Sequence, residues 1–343
     1  MTTRFAINGL GRIGRALLRI AHGHPDLELV AINDLAPAAE LAPLVARDSV
    51  HGRLGATVTV DRTNADERLV GERLVIDGRP IPVTQAAEPR EIPWPETARI
   101  VVEATGTATE RSRAAGHLGG GVDKVVISAL SPDADVTLCR GLNDDAYDPK
   151  RHHVISNASC TTHCLAPLVT VLDDAFGLRH GLMNEVHGYT SNQRLVDGPH
   201  PDPRRARAAA ANIIPTTSAA PRAVERLLPH LTGRLKGQAV RVPTPNVALM
   251  EWVATVERPA DTESVNAAFR RAAAGKLRNV LAVSDDPLVS SDHVGQPYSA
   301  IVDSLLTECV GGELVRVMAW YDNEWGYACR LADLLTSIGE LLP

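Results

Sequence analysis

The sequence predicts two domains, an α/β one built on a parallel sheet and an α+β one with a mainly antiparallel sheet, on three observations. The chain has 343 residues, more than a single hydrophobic core usually serves. Near its start the run Gly9-Leu10-Gly11-Arg12-Ile13-Gly14 joins a strand pattern to a helix pattern. Beyond residue 160, short alternating βα units give way to long stretches of period two.

The first domain is expected over residues 1–159. Arg4–Asn8 reads as a buried strand, and Ala16-Leu17-Leu18 with Ile20-Ala21 as the helix after the glycine turn. Strand, G-x-G-x-x-G and helix in that order form the fingerprint of a Rossmann dinucleotide-binding domain. Gly9 and Gly11 let the backbone turn and approach a pyrophosphate, and Arg12 and Ile13 open the helix whose N-terminus faces it. A second strand, Leu27–Asn33, ends at Asp34, placed to accept hydrogen bonds from a ribose 2′-hydroxyl. A carboxylate there repels a 2′-phosphate, so NAD is expected rather than NADP.

Leu41–Val45 reads as helix, and Ala56–Val60, Leu69–Ile76 and Pro80–Thr84 as small antiparallel strands with turns at Gly71-Glu72 and Asp77-Gly78. The parallel pattern resumes with Ile100–Val102, a helix over Arg111–Leu118 and a strand over Lys124–Ser128. Loops at the C-terminal ends of such strands are where a dinucleotide lies, which makes Thr105, Gly106, Ser128 and Ala129 candidate contacts.

Val154-Ile155 leads to Ser156-Asn157-Ala158-Ser159-Cys160-Thr161-Thr162-His163-Cys164-Leu165, followed by an apolar run with helical spacing. Cys160 is therefore expected in the first turn of a helix, where unpaired N–H groups and the helix dipole favour a thiolate. The flanking hydroxyls, Ser159 and Thr161, suit an oxyanion or phosphate. In the second domain, expected over residues 160–322, strands are read at Leu182–Thr190, Gln238–Val242, Ala248–Val256 and Leu314–Tyr321, with a helix at Ser264–Ala274. His187 in the first of these is the base that a cysteine nucleophile needs. A last helix, 323–343, is expected to return to the first domain.

Composition narrows the class. An apolar fraction of 44%, a charged fraction of 22% and a net charge of -6 describe a soluble globular protein without a basic stripe for nucleic acid. The dense basic cluster Arg204-Arg205-Ala206-Arg207 suits a small anion or an intersubunit ion pair. No membrane-length apolar run or signal-type block occurs, and the five scattered cysteines do not form a secreted framework, so a cytoplasmic protein with reduced thiols is expected. Cys160, His163 and Cys164 at helical spacing supply only three ligands and would consume the nucleophile, so no metal is expected.

The chain resembles the glyceraldehyde-3-phosphate dehydrogenase family from end to end. The matching runs are Ile7-Asn8-Gly9-Leu10-Gly11-Arg12-Ile13-Gly14-Arg15, Asp48-Ser49-Val50-His51-Gly52, Lys124–Ser128, Ala158-Ser159-Cys160-Thr161-Thr162, Arg204–Arg207, Arg241-Val242-Pro243-Thr244-Pro245-Asn246 and Trp320–Tyr327. The resemblance implies NAD-dependent oxidation of glyceraldehyde 3-phosphate to 1,3-bisphosphoglycerate through a Cys160 thioester, with His187 lowering the thiol pKa and taking the hydroxyl proton. It implies that Asn323 holds the nicotinamide carboxamide and that Thr190 and Arg241, with Arg207 nearby, hold the substrate phosphate. Ser159, Thr161 and the loop Thr217-Ser218-Ala219 would cradle inorganic phosphate. The stretch 191–210 resembles the family's intersubunit loop, which implies a homotetramer, and Pro199 within it resembles the NAD-preferring form.

Departures from the family pattern gather near the chemistry: His163, Asn184-Glu185, Asn192, Ala219, Pro221 and Ala328-Cys329. Ala219 adds a methyl where the backbone approaches an anion, and Pro221 deletes an N–H. Glu185, as a neighbour of Val186, is expected to point away from His187. The departures suggest a conserved nucleophile, base and NAD site with retuned phosphate handling. Two other readings stay open. Ile32–Ala36 and His200-Pro201-Asp202 are similar to erythrose-4-phosphate dehydrogenase, and a specialised inhibitor-tolerant or regulatory homologue would carry the same motifs.

Overall fold

A computed structural model of the chain describes residues 2–62 and 72–342. The chain divides into two compact units, one formed by Met1–Leu138, Asn143–Ala158 and Ala328–Pro343, the other by Cys139–Leu142 and Ser159–Tyr327. The final helix, Trp325–Glu340, thus begins in the second unit and ends in the first, where Gly339 lies so close to Thr3 that a Cβ would stand 1.8 Å from its hydroxyl oxygen.

The first unit carries a nine-stranded sheet. Thr3–Asn8 lies at its middle, parallel to Leu27–Asn33 on one side and to Ile100–Glu103 on the other. Lys124–Ile127, Val154–Ser156 and Val136–Thr137 extend the parallel part. Its central strands are buried on both faces, as parallel strands covered by helices must be. The antiparallel strands Val58–Asp61, Arg73–Ile76 and Arg79–Thr84 do not form a separate sheet. Arg79–Thr84 pairs in parallel with Leu27–Asn33 through Ile32 and Asn33, and so joins them to the main edge. The Leu69–Gly71 part of the strand and turn expected there lies outside the described residues. The helix expected over Arg111–Leu118 is α-helical only at Arg111–Ala114 and continues as one 3₁₀ turn, Ala115–His117. Gly119, Gly120 and Gly121, all at positive φ, then turn the chain away.

The second unit holds an eight-stranded sheet that is mainly antiparallel, as expected, but includes two parallel pairings. Leu178–Gly188 runs antiparallel to Ala248–Val256 but parallel to Leu235–Val242, and Leu281–Ser284 runs parallel to Ala300–Asp303. Helix Cys160–Phe176 packs Leu165, Leu168, Val169 and Leu172 into a core with Met250, Trp252, Phe269 and Val317, all fully buried. The apolar face expected of that helix is in fact almost its whole circumference, as suits a helix in the middle of a core. Helix Thr262–Ala274 starts at Asp261, whose carboxylate accepts from Ser264 N–H at 2.7 Å while the Ser264 hydroxyl accepts from Asp261 N–H, a reciprocal cap. No helix among the described residues is long and apolar enough to cross a membrane.

One ion pair in the first unit gives a measurable signature. Burial would raise the pKa of Asp48, but the two-pronged bond from Arg12 and the Val50 and His51 N–H groups outweigh it and hold the carboxyl well below its usual range. A depressed carboxylate stabilises the fold above its unfolded pKa and loses that contribution as pH falls. Asp48→Asn is expected to cost about 1–2 kcal/mol at neutral pH, with the difference from wild type shrinking progressively in thermal melts taken below about pH 4.

Candidate active site

In the first unit the turn after Thr3–Asn8 is shaped by close approach. Gly9 sits at φ +93, and a Cβ there would stand 2.8 Å from Thr105 N; a Cβ at Gly14 would stand 2.2 Å from the Gly9 carbonyl oxygen. Gly11 differs, since nothing lies within 4 Å of the Cβ position, and no side chain caps the helix Arg12–Ala21 that begins there. Gly9, Gly11, Asp34, Thr105 and Arg113 line a cavity of about 290 Å³. Asp34 accepts from Leu10 N–H at 2.7 Å and from Ala36 N–H at 2.9 Å. A carboxylate has about four acceptor sites, which leaves capacity for ribose hydroxyls. The residues therefore fit a dinucleotide: open space at a helix N-terminus, an acid beside it, and glycines where a side chain would clash.

Of the other expected cofactor contacts, Arg12 turns its guanidinium to Asp48, and Ile13 is half-buried in the first helical turn. Gly106 adopts φ +74, and Ser128 follows its strand with its N–H on the Glu103 carbonyl. A polar network beneath the cavity was not legible in the sequence. Glu103 accepts from Asn8 at 2.6 Å and meets His117 Nε2 at 2.9 Å, while Trp94 Nε1–H donates to His117 Nδ1 at 3.1 Å. Because the indole only donates, His117 Nδ1 is its acceptor, which leaves Nε2 to face Glu103.

In the second unit Cys160 is the first residue of its helix, capped by Ser159, whose Oγ accepts from Thr162 N–H at 3.1 Å. His187 arrives from the strand Leu178–Gly188, and its Nε2 stands 3.9 Å from the Cys160 sulfur. The parallel register sets Arg241 directly beside His187, with Arg241 Nη1 2.6 Å from His187 Nδ1 and donating to the Gly188 carbonyl at 3.1 Å. Nucleophile, base and cation are thus gathered by one helix start and two adjacent strands.

Glu185 does not point away. Residues 185 and 187 have the same parity, so strand alternation puts both on one face, and the neighbour that faces the other way is Val186. Glu185 is 1% exposed and accepts from the Thr161 hydroxyl at 2.7 Å and from the Tyr321 hydroxyl. Thr161 has one O–H to donate and commits it to Glu185, so its side chain is not a phosphate donor in this arrangement. The shift at Cys160 runs against the thiolate expected from the helix start. Burial pushes the Cys160 thiol up to about 11, Glu185 adding to the rise against Arg241 and Thr161. Burial, then Arg241, push His187 down to about 4, against Glu185 and Glu324. Desolvation acts against the helix dipole and favours the uncharged form of both groups in the free site.

The remaining candidates are more dispersed. Thr190 follows the histidine strand with its N–H on Gln193 at 3.2 Å. Arg207 is exposed and held by Asp197 at 2.8 Å. Thr217 and Ala219 are exposed and Ser218 half-buried at the start of helix Ala220–Leu227, where the Ser218 hydroxyl accepts from Ala220 N–H. Asn323 is buried, and its Oδ1 has no hydrogen-bond partner among the described residues. An orphaned buried acceptor is what a carboxamide NH₂ would satisfy. His163 turns to the Cys139 sulfur at 3.4 Å and stacks edgewise on Tyr327. Among the described residues there is no group of three or more His, Cys, Asp or Glu that could hold a metal.

Residues 3–111 match the family model described as glyceraldehyde 3-phosphate dehydrogenase, NAD binding domain, and residues 159–323 match the C-terminal domain of the same family. The chain belongs to the glyceraldehyde 3-phosphate dehydrogenase family. It is 50% identical over 341 residues to glyceraldehyde-3-phosphate dehydrogenase of Geobacillus stearothermophilus, covering 99% of each chain. It is 51% identical over 335 residues to the enzyme of that name from Kitasatospora aureofaciens, covering 97% of this chain and 98% of the relative. Glyceraldehyde-3-phosphate dehydrogenase 2 of Streptomyces avermitilis is 46% identical over 344 residues, with both chains fully covered.

The glycines separate folding from binding. Gly14→Ala is expected to lower the melting temperature, by about 1–3 kcal/mol of stability, because the new methyl meets the Gly9 carbonyl. Gly11→Ala is expected to melt like wild type yet weaken NAD at least about tenfold in calorimetry, since its methyl enters space that only a ligand would fill.

Proposed function

We propose that the protein oxidises glyceraldehyde 3-phosphate with NAD and inorganic phosphate to 1,3-bisphosphoglycerate. The observation that carries this reading is the Cys160 sulfur 3.9 Å from His187 Nε2 with Arg241 beside the imidazole, in a chain about half identical over its length to relatives of that name. The cysteine sulfur attacks the aldehyde carbon, and the carbonyl oxygen becomes the hydroxyl of a hemithioacetal. His187 then takes the hydroxyl proton on Nε2 as the carbon gives up hydride, which leaves a thioester on Cys160. NAD supplies the hydride acceptor. For Nε2 to accept, the Nδ1 proton must go to the Gly188 carbonyl, 2.6 Å away, which requires Arg241 Nη1, itself 2.6 Å from Nδ1, to turn from the ring to the substrate phosphate.

Arg241 and Thr190 are proposed to hold the substrate phosphate, with Arg207 contributing once released from Asp197. A dianion on Arg241 would also relieve the guanidinium's penalty on the imidazolium, so substrate binding would raise the basicity of His187. For inorganic phosphate the proposed donors are the Ser159 hydroxyl, Thr217, Ser218 and the backbone at Ala219, with Thr161 offering only its main chain. Phosphate attack on the thioester releases the acyl phosphate. A homotetramer is proposed as the assembly. Leu182, Leu195, Val196 and Ile213, exposed by 59–79% in the single chain, supply apolar surface that subunit contacts would cover. A cytoplasmic location agrees with scattered free cysteines.

NADH formation with phosphate and substrate varied tests the reading. Cys160→Ser is expected to abolish it, and wild type is expected to turn over glyceraldehyde 3-phosphate in preference to erythrose 4-phosphate and to require phosphate for more than one turnover. Arg241→Ala is expected to raise KM at least about tenfold and, by removing a cation from the imidazole, to move the acidic limb of the kcat/KM profile to higher pH.

A further inference from the structure

Glu185 places a buried acid against the reacting pair, and nothing in the reaction as proposed uses it. One of its oxygens accepts from two hydroxyl donors, Thr161 and Tyr321. The Thr161 hydroxyl in turn lies 3.9 Å from the Cys160 sulfur, and the Tyr321 ring stands edge-on to His187 with centroids 6.2 Å apart. Both hydroxyl residues and the acid are less than a tenth exposed. The charged and titratable groups facing this cluster are Arg241 beside the imidazole, Glu324 toward His187, and the thiol of Cys164 one helical turn on from Cys160. Arg241 is the cation among these groups, and it meets the imidazole on the Nδ1 side, away from the thiol.

We propose that Glu185 is a positioning residue for the Cys160–His187 pair, its carboxylate opposing a sulfur anion in the resting site and favouring the imidazolium formed when His187 takes the hemithioacetal proton. The argument is one of sign. While the sulfur is a thiol or thiolate, a nearby anion disfavours the thiolate and favours the imidazolium, so its two effects on the pair oppose each other. Once the sulfur is bonded to carbon it carries no charge, and only the effect on the imidazole remains. In that step the C–H bond breaks with its electron pair leaving as hydride to NAD, the O–H proton moves to His187 Nε2, and the C=O of the thioester forms. Glu185 therefore holds back the free thiol and assists the oxidation. Its influence is upward at both residues, adding to the rise at Cys160 and opposing the net downward shift at His187.

The half of this proposal that concerns hydride transfer rests on the function proposed above; the half that concerns the thiol does not. The test is alkylation of Cys160 in the intact protein by neutral iodoacetamide and anionic iodoacetate across pH 5–10, located by peptide mass analysis, in wild type, Glu185→Gln, Glu185→Thr and Glu185→Asp. Removing the charge is expected to speed iodoacetamide at pH 7 by about three- to tenfold, as a fall of half to one pKa unit requires. It should also raise the iodoacetate-to-iodoacetamide rate ratio at least about twofold, because the anionic reagent no longer meets a carboxylate. Glu185→Asp should keep the wild-type ratio. In single-turnover NADH formation, Glu185→Gln is expected to be slower on the plateau, with its acidic limb at lower pH, the mark of a weaker base. Wild-type alkylation profiles and reagent ratios in both Glu185→Gln and Glu185→Thr would overturn the proposal, even if activity fell, since lost packing alone does not distinguish the two reagents by charge. Should wild type form no NADH from glyceraldehyde 3-phosphate, the functional reading fails while the alkylation comparison still decides the effect of Glu185 on the thiol.

Discussion

The approach of the Cys160 sulfur to His187 Nε2, at 3.9 Å, is the contact on which the chemistry depends, and it joins a half-buried cysteine to a buried imidazole. Burial favours the uncharged form of both partners, raising the thiol and lowering the imidazole. The helix N-terminus under Cys160 acts in the opposite sense on the thiol. The site is therefore poised by its charged neighbours. Arg241 lies on one side and Glu185 on the other, and any anion that engages Arg241 changes the balance felt by the imidazole.

That balance is a product of strand pairing. His187 and Arg241 are cross-strand partners in a parallel ladder, and Glu185 shares their face because it lies two residues before the histidine. The opposite neighbour of the histidine strand, Ala248–Val256, is antiparallel and places the small Ala248 beside His187. In register, the histidine thus has an arginine on one neighbouring strand and an alanine on the other. At the back of the site, Tyr321 enters from the strand Leu314–Tyr321, which pairs with Ala248–Val256 and brings its hydroxyl to Glu185. The backbone just before the nucleophile is also held in an uncommon form, with Ala158 at φ +49 leading into the Ser159 cap.

The nucleotide unit works by a different economy of contact. Its glycines matter for distinct reasons: Gly9 and Gly14 because neighbouring backbone leaves no room for a Cβ, Gly11 because the space beside it is open. Asp34 helps shape the turn through Leu10 N–H and still has acceptor capacity left. Beneath it, Asn8, Asn33 and Thr84 link the ends of three strands by side-chain hydrogen bonds of 2.8 Å. These polar groups are buried yet satisfied, the condition under which a polar network stiffens a site rather than weakening it.

Much of this was readable from residue order alone, because some signals are local. The strand–turn–helix around Gly9 to Gly14, the acid at Asp34, the helix beginning at Cys160, and the strands at Leu27–Asn33, Ala248–Val256 and Leu314–Tyr321 all follow from periodicity, turn chemistry and capping within a few neighbours. Residue order did not state which strands lie side by side or in what direction. The parallel pairing that aligns His187 with Arg241, the joining of the three antiparallel strands to the main sheet, and the meeting of Glu185 with Thr161 and Tyr321 were settled only in three dimensions. Strand register and the burial of a charge depend on partners 24 to 136 residues away in the chain, and long-range pairing leaves no mark in any short window. The sequence by itself determined the chemical parts and their local settings; tertiary structure decided which part faces which, because burial and strand register depend on distant partners.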